Sequence, residues 1–518
     1  MNGSGRATLS KTGAPKYEAL TRFKYSSDNP KDCFDVHNPA TGEVITTIQG
    51  GGTAELEQAI QAADHAFRTD WKWRPPFERA RLLLKAAERL EAHFDELCCL
   101  LSLENGKPIS QAREGDVLFV IGIFRYFASL VDKLPHEVYD QGTIYATVLR
   151  EPYGVVGAIL PFNWPPIHFG GKSAPALATG NTIVIKPGDQ APLTVMRMVE
   201  IVAEVLPPGV IQAVPATGIH VPQALVTHSK VKKISFTGST GAGAAVSKLA
   251  ADGITPLTLE LGGKNALIVL EDGDVDLAVR NAVDGAFFNQ GEACTASSRL
   301  LVHSSLHDTF VSKLAAAVRL LKVGDGADEQ THVGPVVTKA HQQRVEEYIR
   351  IGLAEGANIE AQAPLPTDPR LKNGFYIQPT LFTGVTRDMR IAKEEIFGPV
   401  VTVTKFETTA EAIEAANEVE YGLVCAVFSK NLTEAMRVAR HIDAGMLFLN
   451  NYNRMALGTP FGGTKASGYG REHCIETLKD YTWAKNMRYP TGLGVVGGWS
   501  KLSSLFPPEV NGTHNGTL

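Results

Sequence analysis

From Tyr153 onward the chain alternates short, β-branched runs with stretches that suit helices, and this alternation restricts the possible folds more than any other feature. The runs Val155-Val-Gly-Ala-Ile-Leu160, Asn181-Thr-Ile-Val-Ile-Lys-Pro187, Gly209-Val-Ile-Gln-Ala-Val214 and Lys232-Lys-Ile-Ser-Phe-Thr-Gly238 are separated by segments such as 193–205. Strands alternating with helices imply βαβ units and a parallel sheet. A second such series follows Glu260: 265–270, a helix over about 275–288, 299–303, a helix over about 306–321, then 400–406, 423–429 and 445–450. Two α/β domains in tandem fit this better than one, and no internal repeat is evident. Ahead of them, apolar positions at three-four spacing predict one long amphipathic helix from Arg79 to Glu104, stopped at Asn105-Gly106. Another is predicted from about Ile109 to Leu134, ended by Pro135.

Composition removes several classes of function. With 518 residues, no staple is needed to hold a core. Lys+Arg 50 against Asp+Glu 55, interspersed, leaves no basic block for a nucleic-acid partner. No apolar stretch reaches the roughly 18 residues of a spanning helix, and the first twenty residues do not resemble a signal peptide. Six cysteines in such a chain suggest a reducing compartment, so a cytoplasmic protein is expected. The sequons at Asn511 and Asn515 then count as chance.

Candidate chemistry sits at strand ends. The dinucleotide pattern Gly492-Leu-Gly-Val-Val-Gly497 lacks room for a βαβ unit and is read as a decoy. A less standard loop, Phe236-Thr-Gly-Ser-Thr-Gly-Ala-Gly243, has the right context between a strand and a helix. Gly238 and Gly243 would let backbone approach a pyrophosphate, with Ser239 as a hydroxyl donor; the alternative is an ordinary αβ turn. Lys186 and Asp189 close a strand at the edge where open sheets bind ligands, and an acid there favours NAD over NADP; the alternative is a solvated loop pair. Cys294 follows a helix end and Gly291, where backbone N–H groups can point at a thiol, as a nucleophile requires. Cys98, Cys99, Cys425 and Cys474 read as core filler, and Cys33 gets no role. Glu260 closes an apolar strand, where a raised pKa makes a usable base, or else stands in solvent. Asn163, fixed between prolines, donates to an oxyanion or caps a turn.

In this order the motifs resemble the NAD(P)-dependent aldehyde dehydrogenase superfamily. The matching blocks are PFNWP (161–165), IKPGD (185–189), FTGSTGAG (236–243), LELGGK (259–264), FFNQGEACTASSR (287–299), EEIFGPV (394–400) and PFGGTKASGYGRE (460–472), spread from about residue 30 to about 490. The resemblance implies Cys294 as nucleophile, Glu260 as general base, Asn163 with the Cys294 N–H as oxyanion hole, and Lys172 as an aid to proton transfer. For NAD, with NADP possible, it implies Lys186 and Asp189 at the adenosine ribose and Ser239 at the pyrophosphate. Phe236, Gly238, Gly243, Leu261 and Gly262 complete that cleft, with Glu395 and Phe397 at the nicotinamide ribose. No metal is implied.

The fold implied is α/β: a Rossmann-like cofactor domain (1–130 and 152–262), an α/β catalytic domain (263–474), and a small β oligomerisation arm (131–151 and 475–497) of a homodimer or homotetramer, with a tail over 498–518. The activity implied is oxidation of an aldehyde to its acid through a thiohemiacetal and a thioester. The base favours hydrolysis over transfer to CoA. A cofactor-independent thiol esterase and a catalytically idle structural member are the alternatives. Asp189 stands where many relatives have Glu, which loosens the ribose contact. Gly170-Gly171 stands where many carry a bulky or charged side chain. A wide, mostly apolar tunnel bounded by Trp164, Gly171, Met455 and Phe461 is therefore expected, suited to a bulky aromatic or long-chain aldehyde; the other use of the two glycines is close helix packing.

Overall fold

The structure, a computed structural model, describes residues 33–452, 456–494, 496 and 505. Met455, Asn511, Asn515, Gly497 and all of the 498–518 tail except Leu505 lie outside the described residues.

The first alternating series builds a six-stranded sheet in the order Gly468–Tyr469, Leu257–Glu260, Val231–Thr237, Val155–Ile159, Thr182–Lys186, Ile211–Ala213. All strands are parallel except Gly468–Tyr469, which returns from far down the chain to pair antiparallel with Leu257–Glu260. Both faces are covered, so most strand positions are apolar, with Lys233, Ser235 and Thr258 buried among them. Val156, Ala158, Ile183 and Ile185 point to one core, under the helices Pro76–Ala92, Leu118–Leu130, Pro165–Ala178 and Leu193–Ala203. Val155, Ile159, Val184 and Ile234 point to the other, under Thr53–Thr69, His220–Thr227 and Thr240–Asp252. The first N–H groups of Leu193–Ala203 have no local cap; the buried Glu104 carboxylate, from a neighbouring helix, accepts from Leu193 N–H and Thr194 N–H at 2.7 Å each.

The second series forms seven strands in the order Asn358–Gln362, Thr380–Thr383, Val400–Phe406, Arg299–His303, Ala266–Val269, Val424–Phe428, Met446–Leu449, parallel except for the first. Helices Val275–Phe287 and Ser304–Arg319 cover one face, Thr409–Asn417 and Leu432–Ala439 the other. A third, antiparallel sheet joins Glu137–Asp140, Ile144–Pro152 and Thr482–Pro490. Gly492 and Gly494 of the decoy pattern follow its last strand, where Thr491 N–H bonds to Thr143 O at 3.0 Å.

Two helices depart from expectation. The single helix over 79–104 is two, Pro76–Ala92 and Phe94–Asn105, broken at His93 (φ −105°, ψ 18°). His93 Nδ1 pairs with Glu96 at 2.7 Å, a local side-chain bond at the break. Leu90 and Leu97 still reach the same core, so the periodicity runs through the break unmarked. The helix over 109–134 carries a π turn at Ala112–Val117 and ends at Leu130. Among the described residues no helix is long and apolar enough to cross a membrane.

Candidate active site

In the six-stranded sheet the strand order reverses between Val155–Ile159 and Val231–Thr237, and the crevice beyond their carboxyl ends is where such sheets take ligands. Lys186 ends its strand buried, its Nζ 3.5 Å from Asp189. Ser239 caps the helix Thr240–Asp252, its Oγ accepting from Ala242 N–H at 3.3 Å. Both glycines singled out in the loop are occupied by protein: a Cβ on Gly238 would stand 2.6 Å from the Phe236 ring, and one on Gly243 2.6 Å from Leu261. Open space lies instead beside Gly241, which spacing alone had not marked. Leu261 N–H donates to Ser467 O at 3.0 Å, and a Cβ on Gly262 would meet the Glu395 carboxylate at 2.4 Å. Glu395 accepts from Gly263 N–H at 2.9 Å; burial pushes its pKa up to about 7. Phe397 adopts φ 62° and packs edge-on against Phe162 and His341.

Cys294 approaches from the second sheet, in the loop that enters Arg299–His303. Asn289, Gln290 and Gly291 all have positive φ (52°, 53° and 71°), a run that costs free energy and must be held by its surroundings. Asn289 Nδ2 donates to Asn163 O (3.1 Å) and Glu292 O (2.9 Å); Asn265 Nδ2 donates to Cys294 O (2.7 Å); Tyr452 Oη donates to Thr295 O (2.8 Å). Burial, then the charges of Glu395 and Glu260, push the half-buried Cys294 thiol up, while the N–H groups of Cys294 and Thr295 pull it down. The resting thiol is therefore protonated.

Glu260 is buried, and neither carboxylate oxygen has a hydrogen-bond partner among the described residues. Burial and the nearby Glu472 hold its pKa well above the carboxylate range, as a general base working near neutrality requires. Lys172 donates to Glu472 at 2.6 Å and to Ser235 Oγ at 3.2 Å. Burial opposes it, yet Lys172 keeps Glu472 below the usual range. Asn163 Nδ2 donates one hydrogen to Glu292 O at 3.1 Å and has a second to offer. Its backbone O and the Trp164 ring are held by Lys107, which lies 3.3 Å from the one, 4.1 Å from the centre of the other, and 2.8 Å from buried Asp116.

A cavity of about 290 Å³ borders Cys294 and Thr295, walled by Phe119, Trp164, Phe288 and Phe461, with His168 and His473 among the polar residues. Trp164 stacks on Phe288 at 5.4 Å. This volume is at the low end for ligand sites, and the paired glycines do not widen it. A Cβ on Gly170 would meet Val120 at 2.7 Å, so Gly170 serves close helix packing; Gly171 does not border the cavity, since His473 fills the space beside it at 2.8 Å. Of the expected tunnel residues, Trp164 and Phe461 line it. Phe119, His168, Phe288 and His473 were missed, and carry no signal in spacing. Glu472 stood inside a matched block, and only its contact with Lys172 reveals it. Among the described residues no cluster of three His, Cys, Asp or Glu could hold a metal.

The model of the aldehyde dehydrogenase family matches residues 25–487. The chain is 54% identical over 481 residues, 93% of this chain and 96% of the relative, to aldehyde dehydrogenase citD of Monascus ruber. In structure it is similar to PnpE from Pseudomonas sp. WBC-3, with TM-score 0.87 and 40% identity over 90% of this chain and 96% of that one. It is also similar to the NAD+ complex of the aldehyde dehydrogenase from Bacillus cereus, with TM-score 0.86 and 38% identity over 89% and 93%. A thiol, an unpartnered buried carboxyl and a free amide hydrogen at the meeting of two parallel sheets thus coincide with sequence matches along nearly the whole chain: it belongs to the aldehyde dehydrogenase family.

Proposed function

We propose that this enzyme oxidises aldehydes, aromatic ones foremost, to carboxylic acids with NAD as oxidant. The observation that carries this reading is that Cys294, on the wall of an aromatic-lined cavity, lies within reach of the Glu260 charge and close to Asn163, whose amide bonds to Glu292 O two residues before it. The cleft fits a dinucleotide: Gly241 leaves open space at a helix start, Thr237 Oγ1 is buried and unpartnered, and Lys186 has one long-range partner. Lys186 and Asp189 would hold the adenosine ribose, the Asp189 charge disfavouring a 2′-phosphate. Ser239 and the helix start would hold the pyrophosphate, and Glu395 and Phe397 the nicotinamide ribose. When bound, NAD supplies the acceptor for the aldehyde hydrogen.

The chain's own groups do the rest. The Cys294 proton passes to a water molecule as the sulfur adds to the aldehyde carbon. The oxygen that becomes negative is held by the second Asn163 amide hydrogen and the Cys294 N–H, each worth about 3 kcal/mol by analogy with single donor deletions. Once the carbon has lost its hydrogen as hydride, the acyl group stays on the sulfur as a thioester. Glu260 then takes a proton from water, whose oxygen attacks the acyl carbon and frees the acid. Lys172 and Glu472 set the charge around that base.

The described residues of 1–130 and 152–262 form the cofactor half and those of 263–474 the catalytic half, the second lending Gly468–Tyr469 to the sheet of the first. The arm of 131–151 and 475–497 joins subunits as a dimer or tetramer; its exposed Val138, Tyr139, Met487 and Tyr489 support this. Six free cysteines fit a cytoplasmic setting. The test is NADH formation with a panel of aldehydes. Absence of NADH with every aldehyde, alongside ester hydrolysis that needs no NAD, would replace this reading with a thiol hydrolase.

A further inference from the structure

The polar groups of the aldehyde cavity are unevenly satisfied. Glu472 is engaged by Lys172, and Glu114 and Asp284 are exposed. His168 and His473 are buried; both ring nitrogens of His168 and Nδ1 of His473 have no hydrogen-bond partner among the described residues. Buried polar groups in proteins are usually paired, so two such imidazoles on one cavity call for an explanation.

The backbone supplies a second observation. His473 sits at φ 63°, a conformation L-residues avoid, and strain of this kind next to a reacting centre points to function. Its carbonyl is held by Gly458 N–H at 2.9 Å, and its ring stands edge-on between Phe119 (5.5 Å) and Phe461 (5.6 Å). Gly171 is what admits the ring: a Cβ there would stand 2.8 Å from His473 Cε1. The missing side chain at 171 and the imidazole at 473 are thus two halves of one arrangement.

Building on the proposed aldehyde oxidation, we infer that His473, together with His168, selects the substrate: an aryl aldehyde whose ring carries a hydroxyl that pairs with these imidazoles. Burial holds both neutral, His168 with a pKa near about 3 and His473 below its ordinary value. A neutral imidazole offers one donor and one acceptor, and a hydroxyl matches either. A bare ring leaves the nitrogens unpaired. A carboxylate meets Glu114, Asp284 and Glu472, and among the described residues no Lys or Arg lines the cavity wall.

The test compares kcat/KM, with NAD, for the three hydroxybenzaldehydes, benzaldehyde, the methoxybenzaldehydes and para-carboxybenzaldehyde. In the wild type at least one hydroxy isomer exceeds benzaldehyde by about tenfold or more, and the carboxy compound falls below it. His473→Leu and His168→Leu lower that ratio toward unity, chiefly through KM for the hydroxy compound, and Gly171→Ala lowers it partway by displacing His473. The ratio within each variant corrects for loss of folded enzyme. A wild-type ratio near unity, equal preference for methoxy and hydroxy rings, or a ratio that survives both histidine substitutions overturns the inference. Benzaldehyde oxidised without such preference overturns this inference alone, whereas oxidation of no aldehyde overturns the proposed function with it.

Discussion

The two large sheets have the same build, yet they face the reacting centre with opposite ends. The first reverses its strand order once, at Val155–Ile159 against Val231–Thr237; among the reversals of the second is that at Ala266–Val269 against Val424–Phe428. At the first reversal the carboxyl edge holds unsatisfied groups: both oxygens of Glu260 and Thr237 Oγ1 have no hydrogen-bond partner among the described residues. At the second the same edge is closed upon itself. Ser429 Oγ donates to Asp272 at 2.8 Å, Asn431 N–H donates to Asp272 at 2.9 Å, and Asn450 exchanges bonds with the Ser429 backbone at 3.0 and 2.9 Å. The second sheet works from its amino edge, where Cys294 precedes Arg299–His303 and Glu395 and Phe397 precede Val400–Phe406. Residues 261–265 join one edge to the other directly. A strand-order reversal therefore marks where a ligand can sit, and the balance of hydrogen bonds decides whether one does.

This contrast is broken most directly at the amino edge. Cys294→Ala should abolish aldehyde oxidation and leave no burst of NADH on rapid mixing; persistent turnover would remove the thiol from the chemistry. Across the cleft, Glu260→Gln should preserve one burst of up to one NADH per active site and slow the steady rate by on the order of 10²–10⁴. Unimpaired steady turnover would exclude Glu260 as the base. Both outcomes are needed for the two sheets to divide the reaction as proposed.

The buried Lys107–Asp116 pair fastens one side of the site to its helical cover. Lys107→Met strands a carboxylate and should cost about 3–5 kcal/mol in chemical unfolding, with a fall in kcat as Asn163 and Trp164 lose their support. Lys107→Met with Asp116→Leu should recover part of that stability, and a double variant worse than either single change would refute the pairing argument. A smaller effect concerns pH. Glu260 acts as a base only when ionised, and its pKa lies above the usual carboxylate range, so steady turnover should rise with pH through a limb displaced to alkaline pH. Glu472→Gln removes the charge that raises Glu260 and releases Lys172, which lowers it; the limb should then move toward acid. A limb that stays in place separates Glu472 from the base.

The strands were legible because a parallel strand buried on both faces is mostly apolar or β-branched, so the cores of 299–303 and 400–406 read directly even beside Arg299 and Lys405. Glu260 stood out because it closes such a run, Asn163 because prolines fix it, and Cys294 because it follows a helix end and a glycine. His93 gave no warning: its break leaves Leu90 and Leu97 on one core, which is all that periodicity records. The cavity was legible only in part: Trp164 and Phe461 were expected on its wall, whereas Phe119, Phe288 and His473 come from separate elements that only packing brings together. Gly171 shows the limit well. A glycine states that a side chain is missing, and the fold alone states that His473 has taken its place.

The least disruptive change sharpens the contrast from the silent side. Asp272→Asn at the closed carboxyl edge weakens its bonds to Ser429 and Asn431 but touches none of the residues proposed for catalysis. Because Asp272 is exposed, the loss should be small, about 1 kcal/mol, seen as a lower midpoint in urea with kcat/KM unchanged. The geometrically equivalent edge of the first sheet, disturbed by Glu260→Gln, should show the reverse: near-native stability and a stalled reaction. If Asp272→Asn impaired turnover while stability held, the second reversal would itself be a working edge, and the division of the two sheets by their hydrogen-bond balance would fail.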